Sequence, residues 1–191
     1  MKTICADFTL ITRRPAIFFD RDGVLIQDLK YVNSKERTEI VFEAVESIKE
    51  ARKKGFLIFV VTNQAGVARG LYTESECVEF NKWLMEEFAH RGAPIDQLVY
   101  CPSHPEFSKK VDCSCRKPGS GMLVYLSERW NLDISKSILF GDRASDVMSG
   151  HNFGMNSKIA NSGSELLLLV KKHVESVDID SIVEIGKSNE R

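Results

Sequence analysis

Apolar residues in this chain come in short unbroken bursts separated by stretches of helical spacing. Ile17 to Phe19 is a continuous apolar run of strand length, and Phe56 to Val61 is a second. Such runs fit strands buried on both faces, as in a parallel sheet. Between them Ile40, Val41, Ala44, Val45, Ile48 and Ala51 recur at helical spacing, and Gly55 supplies a stop. Thr73-Glu-Ser-Glu76 has the form of a capping box. It predicts a helix with Cys77, Phe80, Trp83, Leu84 and Phe88 on its apolar side, ending near Gly92. Gln97 to Tyr100 reads as a third strand and Gly121 to Trp130 as a helix packing through Met122, Leu123, Tyr125 and Leu126. Ser137 to Phe140 predicts a fourth strand, a helix begins between Asp146 and His151, and Asn156 to Ala160 predicts a fifth strand. A helix around Glu165 to Val174 and a short element near Ile182 to Ile185 complete the series. Leu25 to Thr38 reads as a polar, irregular loop, and residues 1–15 as an edge strand or loose arm. The alternation predicts an α/β protein: a parallel sheet with helices on both faces, in a single domain over 1–191.

Composition narrows the function classes. With 43% hydrophobic and 28% charged residues, the 191-residue chain has the balance of an ordinary globular protein. A net charge of −1 gives no field favouring nucleic acid or an anionic membrane, so neither is expected as a partner. The longest apolar run, Leu166 to Val170, is too short to cross a bilayer, and no export signal opens the chain. The expectation is a cytoplasmic monomer. Of five cysteines, three crowd between 101 and 115, which without export favours a metal over disulfides.

The candidate chemistry sits where predicted strands end. Asp20 and Asp22 flank Arg21 and are followed by Gly23. Two acids this close repel unless a cation or a proton is shared, and magnesium takes such oxygen ligands. The plainer reading is an acidic turn after a strand. Thr62, Lys117, and Asp142 with Asp146 follow later predicted strands. Together these are the parts of phosphoryl transfer: an acidic nucleophile, a metal to quench its repulsion from phosphate, and a lysine and hydroxyl for the non-bridging oxygens. Receiver domains share many of these parts, but there the acid pair precedes a separate phosphorylated aspartate. Here the further acids come last, which argues against a receiver. His90, His151, Cys5, Cys77, Trp83 and Phe88 read as ordinary surface, terminal or core residues.

Cys101-Pro-Ser-His104-Pro and Cys113-Ser-Cys115 place three thiols and an imidazole within fifteen residues. This is a ligand set for a closed, structural zinc site; the alternative is a group of free or buried cysteines beside a chance histidine.

Asp20-Arg-Asp-Gly-Val, Val61-Thr-Asn-Gln-Ala-Gly, Cys115-Arg-Lys-Pro and Gly141-Asp-x3-Asp146 together resemble the haloacid dehalogenase superfamily of aspartyl phosphohydrolases. The resemblance implies a Rossmann-like three-layer fold. It makes Asp20 the nucleophile and Asp22 the general acid/base, with Thr62 and Lys117 holding the transferred phosphoryl group. Magnesium would be held by Asp20, the main-chain carbonyl of Asp22, and Asp142, with Asp146 orienting a metal-bound water or Lys117. The spacings between the motifs leave no room for a cap domain. Arg21 between the acids, and a cysteine loop running into Arg-Lys-Pro, resemble the subgroup of histidinol phosphatases and D-glycero-D-manno-heptose bisphosphate phosphatases. Their zinc histidine stands two residues after the first cysteine, where this chain has Ser103. His104 is expected to replace it, the other occupants of the fourth position being water or another group.

Thr62 to Gly70 followed by Tyr72-Thr-Glu resembles the heptose enzymes more, over roughly 16–155. That likeness implies sugar contacts from Asp28 to Tyr31 and from Thr62 to Ala65, including Asn63 and Gln64. Arg116 with Lys117 would face a phosphate, and Arg69 and Arg21 would also contact substrate. The expected activity is magnesium-dependent hydrolysis of a phosphorylated sugar, foremost the 7-phosphate of a heptose 1,7-bisphosphate. Histidinol phosphate or another small phosphomonoester is the alternative substrate, and a zinc-stabilised binding module the alternative class.

Overall fold

The computed structural model describes residues 13–108 and 113–179; the short element expected near Ile182 and most of the expected N-terminal arm lie outside them. Five strands, β1 (Ala16–Phe19), β2 (Leu57–Asn63), β3 (Gln97–Cys101), β4 (Ile138–Gly141) and β5 (Asn156–Ile159), form one sheet in the order β3-β2-β1-β4-β5. Every neighbouring pair is parallel, with Ile17 opposite both Ile58 and Ile138. The helices are α1 (Phe42–Lys53), α2 (Ala65–Ala68), α3 (Glu74–His90), α4 (Gly121–Trp130), α5 (Ala144–Phe153) and α6 (Gly163–Ser176).

Successive strand side chains point to opposite faces, so each central strand feeds two cores. Ile17, Phe19, Ile58, Val60 and Phe140 pack with α1, α3 and α6 residues such as Ile48, Phe88 and Val170. Phe18, Phe59, Val61 and Leu139 pack on the other face with Met122, Leu123 and Leu126 of α4. The unbroken apolar bursts are therefore strands covered on both sides. Among the described residues no connection between strands contains a further folded unit, and no helix is long and apolar enough to cross a membrane.

Two stretches differ from expectation. The loop after β1 is not simply polar: Val24, Leu25, Ile26 and Val32 are buried. Its backbone turns on itself, with the Leu25 and Ile26 amides donating to the Arg21 carbonyl and Gly23 N–H to Ile26 O. Ile26 also bridges to Ile40, which ties the loop to the start of α1. The other difference is α2, a single turn after β2 that no periodicity announced. Helix α5 begins at Ala144, slightly earlier than expected.

Candidate active site

Parallel strands end on one edge, and open α/β sheets gather their ligands there. Asp20 follows β1, Thr62 lies near the end of β2, and Asp142 follows β4. The Asp20 amide donates to Phe140 O, fixing the two acidic strand ends side by side. Gly23 permits this closeness: its φ is +82°, and a Cβ there would collide with the Asp142 carboxylate.

Lys117 is the buried centre of the site. Its Nζ stands 2.9 Å from Asp20 Oδ1 and 2.5 Å from Asp146 Oδ1, and donates to Val61 O at 2.8 Å. Burial opposes its charge, but the Asp20 and Asp146 carboxylates outweigh burial and raise its pKa. Asp146 is held from behind by the Arg143 amide at 3.0 Å. The Asn63 side chain exchanges two hydrogen bonds with the Lys117 backbone, both at 3.0 Å, so the lysine's loop is pinned to β2.

Carboxylate oxygens of Asp20, Asp142 and Asp146 lie within 4.8 Å of one another. Asp142 Oδ1 is buried with no hydrogen-bond partner among the described residues. Burial, with the Asp20 charge adding to it, pushes the Asp142 carboxyl up to about 6. One lysine does not neutralise three acids, and the orphaned oxygen faces where a hard divalent cation would bind. The donor set fits magnesium.

The Asp22 carboxylate is not part of that cluster. The Arg21 Nη2 reaches both its oxygens at 3.0 Å, and Gln64 Nε2 donates to Oδ2 at 2.8 Å. Gln64 Nε2 also donates to Thr62 Oγ1 at 2.9 Å. Arg21 and Gln64, expected among the substrate contacts, are 0% and 2% exposed. Their polar atoms are engaged inside the protein, where they hold Asp22. Asn63, also expected to contact substrate, has its amide taken up by the Lys117 backbone.

At the rim, Asp28 pairs with Arg143 at 2.6 Å. The Arg69 guanidinium lies 4.3 Å from the Phe107 ring centre and 5.9 Å from that of exposed Tyr31. Arg116 donates to Ser103 O at 2.8 Å. Burial lowers its pKa, and the charges of Arg69 and Arg143 add to that effect.

The cysteine loop departs from expectation in one ligand. Sulfurs of Cys101, Cys113 and Cys115 converge within 4.8 Å, with Cys101 Sγ 2.7 Å from Cys115 and 3.3 Å from Cys113. The Cys113 and Cys115 sulfurs are in direct contact. His104 is not among them. Its Nε2 lies 3.2 Å from Arg69 Nη2, its Nδ1 accepts from the Glu106 amide, and its ring packs on Phe107. The imidazole faces Arg69 and Phe107 instead of the sulfurs.

The sequence reading gave no individual role to Asn81, Tyr72, Phe107 or Arg143. Asn81 left one signal, a lone amide on the apolar stripe of α3 between Phe80 and Leu84.

Residues 8–180 match the family model described as polynucleotide kinase 3 phosphatase. The chain is 38% identical over 146 residues to a D-glycero-beta-D-manno-heptose-1,7-bisphosphate 7-phosphatase of Rhodopseudomonas palustris, covering 75% of this chain and 81% of that protein. It is 32% identical to the protein of that name from Vibrio cholerae, covering 90% and 94%. A solved HAD-like phosphatase from Mesorhizobium loti superposes with a TM-score of 0.75 at 27% identity, over 84% of this chain and 88% of that one. A D,D-heptose 1,7-bisphosphate phosphatase from B. bronchiseptica, complexed with magnesium and phosphate, shares the fold with a TM-score of 0.74 at 20% identity, over 85% and 99%. The chain thus belongs to the haloacid dehalogenase superfamily of phosphatases, within the polynucleotide kinase 3 phosphatase family and the subgroup that holds the heptose 1,7-bisphosphate 7-phosphatases.

Proposed function

We propose that this protein is a magnesium-dependent phosphomonoesterase that removes the 7-phosphate of a heptose 1,7-bisphosphate. The observation that carries the chemistry is the buried Asp20–Lys117–Asp146 group beside the unpartnered Asp142 oxygen. The relatives of that name, at 32–38% identity, support the sugar. Asp20 attacks phosphorus, and the bond from phosphorus to the ester oxygen breaks as Asp22 gives that oxygen a proton. Asp22 then takes a proton from water, which attacks phosphorus and breaks its bond to Asp20, releasing inorganic phosphate. Lys117 and Thr62 meet the non-bridging oxygens. Asp20, Asp142 and the Asp22 carbonyl would hold magnesium, which, when bound, offsets the repulsion between carboxylate and phosphate.

Phosphate release should be measured with magnesium across heptose bisphosphates, histidinol phosphate, other sugar phosphates and a 3′-phosphorylated oligonucleotide. A dominant preference for the heptose bisphosphate is the expected result. Preference for another ester keeps the chemistry and replaces the substrate. Asp20→Asn should abolish turnover with the fold intact; full retained activity rules out the covalent mechanism.

The three convergent sulfurs support a structural zinc, since soft thiolates are its usual ligands. Protein prepared without added metal should carry stoichiometric zinc by elemental analysis, lost in Cys101→Ser and kept in His104→Ala. Zinc lost in His104→Ala would restore the histidine to the ligand set.

A further inference from the structure

Behind Asp22 lies a buried polar network that phosphoryl transfer does not itself require. Arg21 is 0% exposed, with the Phe80 ring centre 5.0 Å from its Cζ. A guanidinium buried this completely needs acceptors for its N–H groups. Nη2 finds Asp22, Val32 O and Gln64 Oε1, the last two at 2.9 Å. Nη1 finds Asn81 Oδ1 at 2.9 Å, and Asn81 Nδ2 is oriented toward Cys77 Sγ at 3.6 Å. The second arm runs through Gln64. Its Oε1 accepts from Tyr72 O–H at 2.8 Å, which directs its Nε2 to Asp22 and Thr62. Burial pushes the Tyr72 phenol up to about 12, so its hydroxyl stays a donor.

Every direct support of the Asp22 carboxylate is thus itself held by a residue one shell further back. Without them, two short torsions and a flexible guanidinium would let the carboxylate swing. We propose that Asn81 and Tyr72 are positioning residues for Asp22, acting through Arg21 and Gln64 to aim its carboxylate at the leaving-group oxygen. The inference rests on the acid/base role of Asp22 proposed above.

The test uses the leaving group. An alkoxide needs a proton as the ester bond breaks, whereas 4-nitrophenolate leaves without one. kcat/KM reports the steps up to that departure, so it isolates the proton donation. In Asn81→Leu, kcat/KM for the sugar phosphate should fall by about 10²-fold, the usual loss for a misplaced catalytic group. For 4-nitrophenyl phosphate it should change by less than about threefold, because no acid assists that step. Asn81→Asp returns an acceptor for Arg21 and should recover most of the sugar-phosphate rate. Tyr72→Phe keeps the ring and should show the same selective loss in smaller measure, which keeps the test available if Asn81→Leu does not fold. Equal losses on both esters, or no loss in any folded variant, overturn the inference while leaving the phosphatase reading intact. A wild-type protein that hydrolyses neither ester overturns both.

Discussion

At the scale of single residues, the site is a problem of charge kept out of water. Lys117 sits between two carboxylates, and removing one partner of a buried ion pair costs about 3–5 kcal/mol. In metal-free protein Lys117→Met should therefore lose about that much stability at neutral pH, because Asp20 and Asp146 then face each other without a cation. The pH dependence follows from Asp146. Burial raises its carboxyl above the usual range even while Lys117 pulls it back, so the variant's carboxyl lies higher still. A group whose folded pKa exceeds its unfolded value takes up a proton on folding, so it costs stability at high pH and returns it as pH falls. Urea midpoints between about pH 8 and about pH 5 should show the deficit of the variant shrinking on acidification. A pH-independent deficit would mean that lost packing, not charge, dominates. Asp20, Thr62 and Asp142 were legible in sequence because each is a reactive side chain at the end of an apolar burst, and Lys117 because the cysteine loop runs into Arg-Lys-Pro. The burial of the Arg21 and Gln64 side chains was not legible, because sequence adjacency to Asp22 and Thr62 does not say whether a side chain turns outward or into the protein. The direction of the His104 ring, toward Arg69 and Phe107, was not legible for the same reason.

At the scale of elements, local chemistry was readable where it repeats or caps. The Thr73–Glu76 box is formed, with Glu76 N–H donating to Thr73 Oγ1 at 3.2 Å and Thr73 N–H to Glu76 Oε2 at 2.6 Å. Thr73→Ala should cost α3 about 1 kcal/mol, as loss of an N-cap usually does. In a domain of this size that is a drop of roughly 2–4 °C in Tm, readable by calorimetry. An unchanged Tm would show that tertiary packing through Phe80, Leu84 and Phe88 fixes the start of α3 without its cap. The loop after β1 was illegible by the same logic. Val24, Leu25, Ile26 and Val32 are buried on an irregular backbone, where no period of 2 or 3.6 marks an inward residue. Helix α2, a single turn, is too short to show any period at all.

At the scale of the whole molecule, a sheet without a cap must discriminate substrates with its rim. Arg69, Arg116 and Arg143 lie there, and the lowered pKa of Arg116 records burial together with repulsion from the other two. An anion placed among them relieves that repulsion, and on the proposed reading the anion is the phosphate that is not cleaved. A charge-assisted hydrogen bond is worth about 1.5–3 kcal/mol, so Arg116→Ala should raise KM for the bisphosphate by about 10–100-fold. Its kcat should hold within about threefold, because Arg116 binds ground state and transition state alike. The same variant should hydrolyse a heptose carrying only the 7-phosphate as the wild type does, since that substrate presents nothing to Arg116. Steady-state kinetics on the two sugars separate the outcomes. Loss confined to the bisphosphate assigns the rim to the second phosphate. Equal loss on both would show instead that Arg116 serves the reacting phosphate beside Lys117, its neighbour in the chain. The selectivity of the open mouth would then have to come from other rim residues, with Asp28 and Tyr31 the candidates.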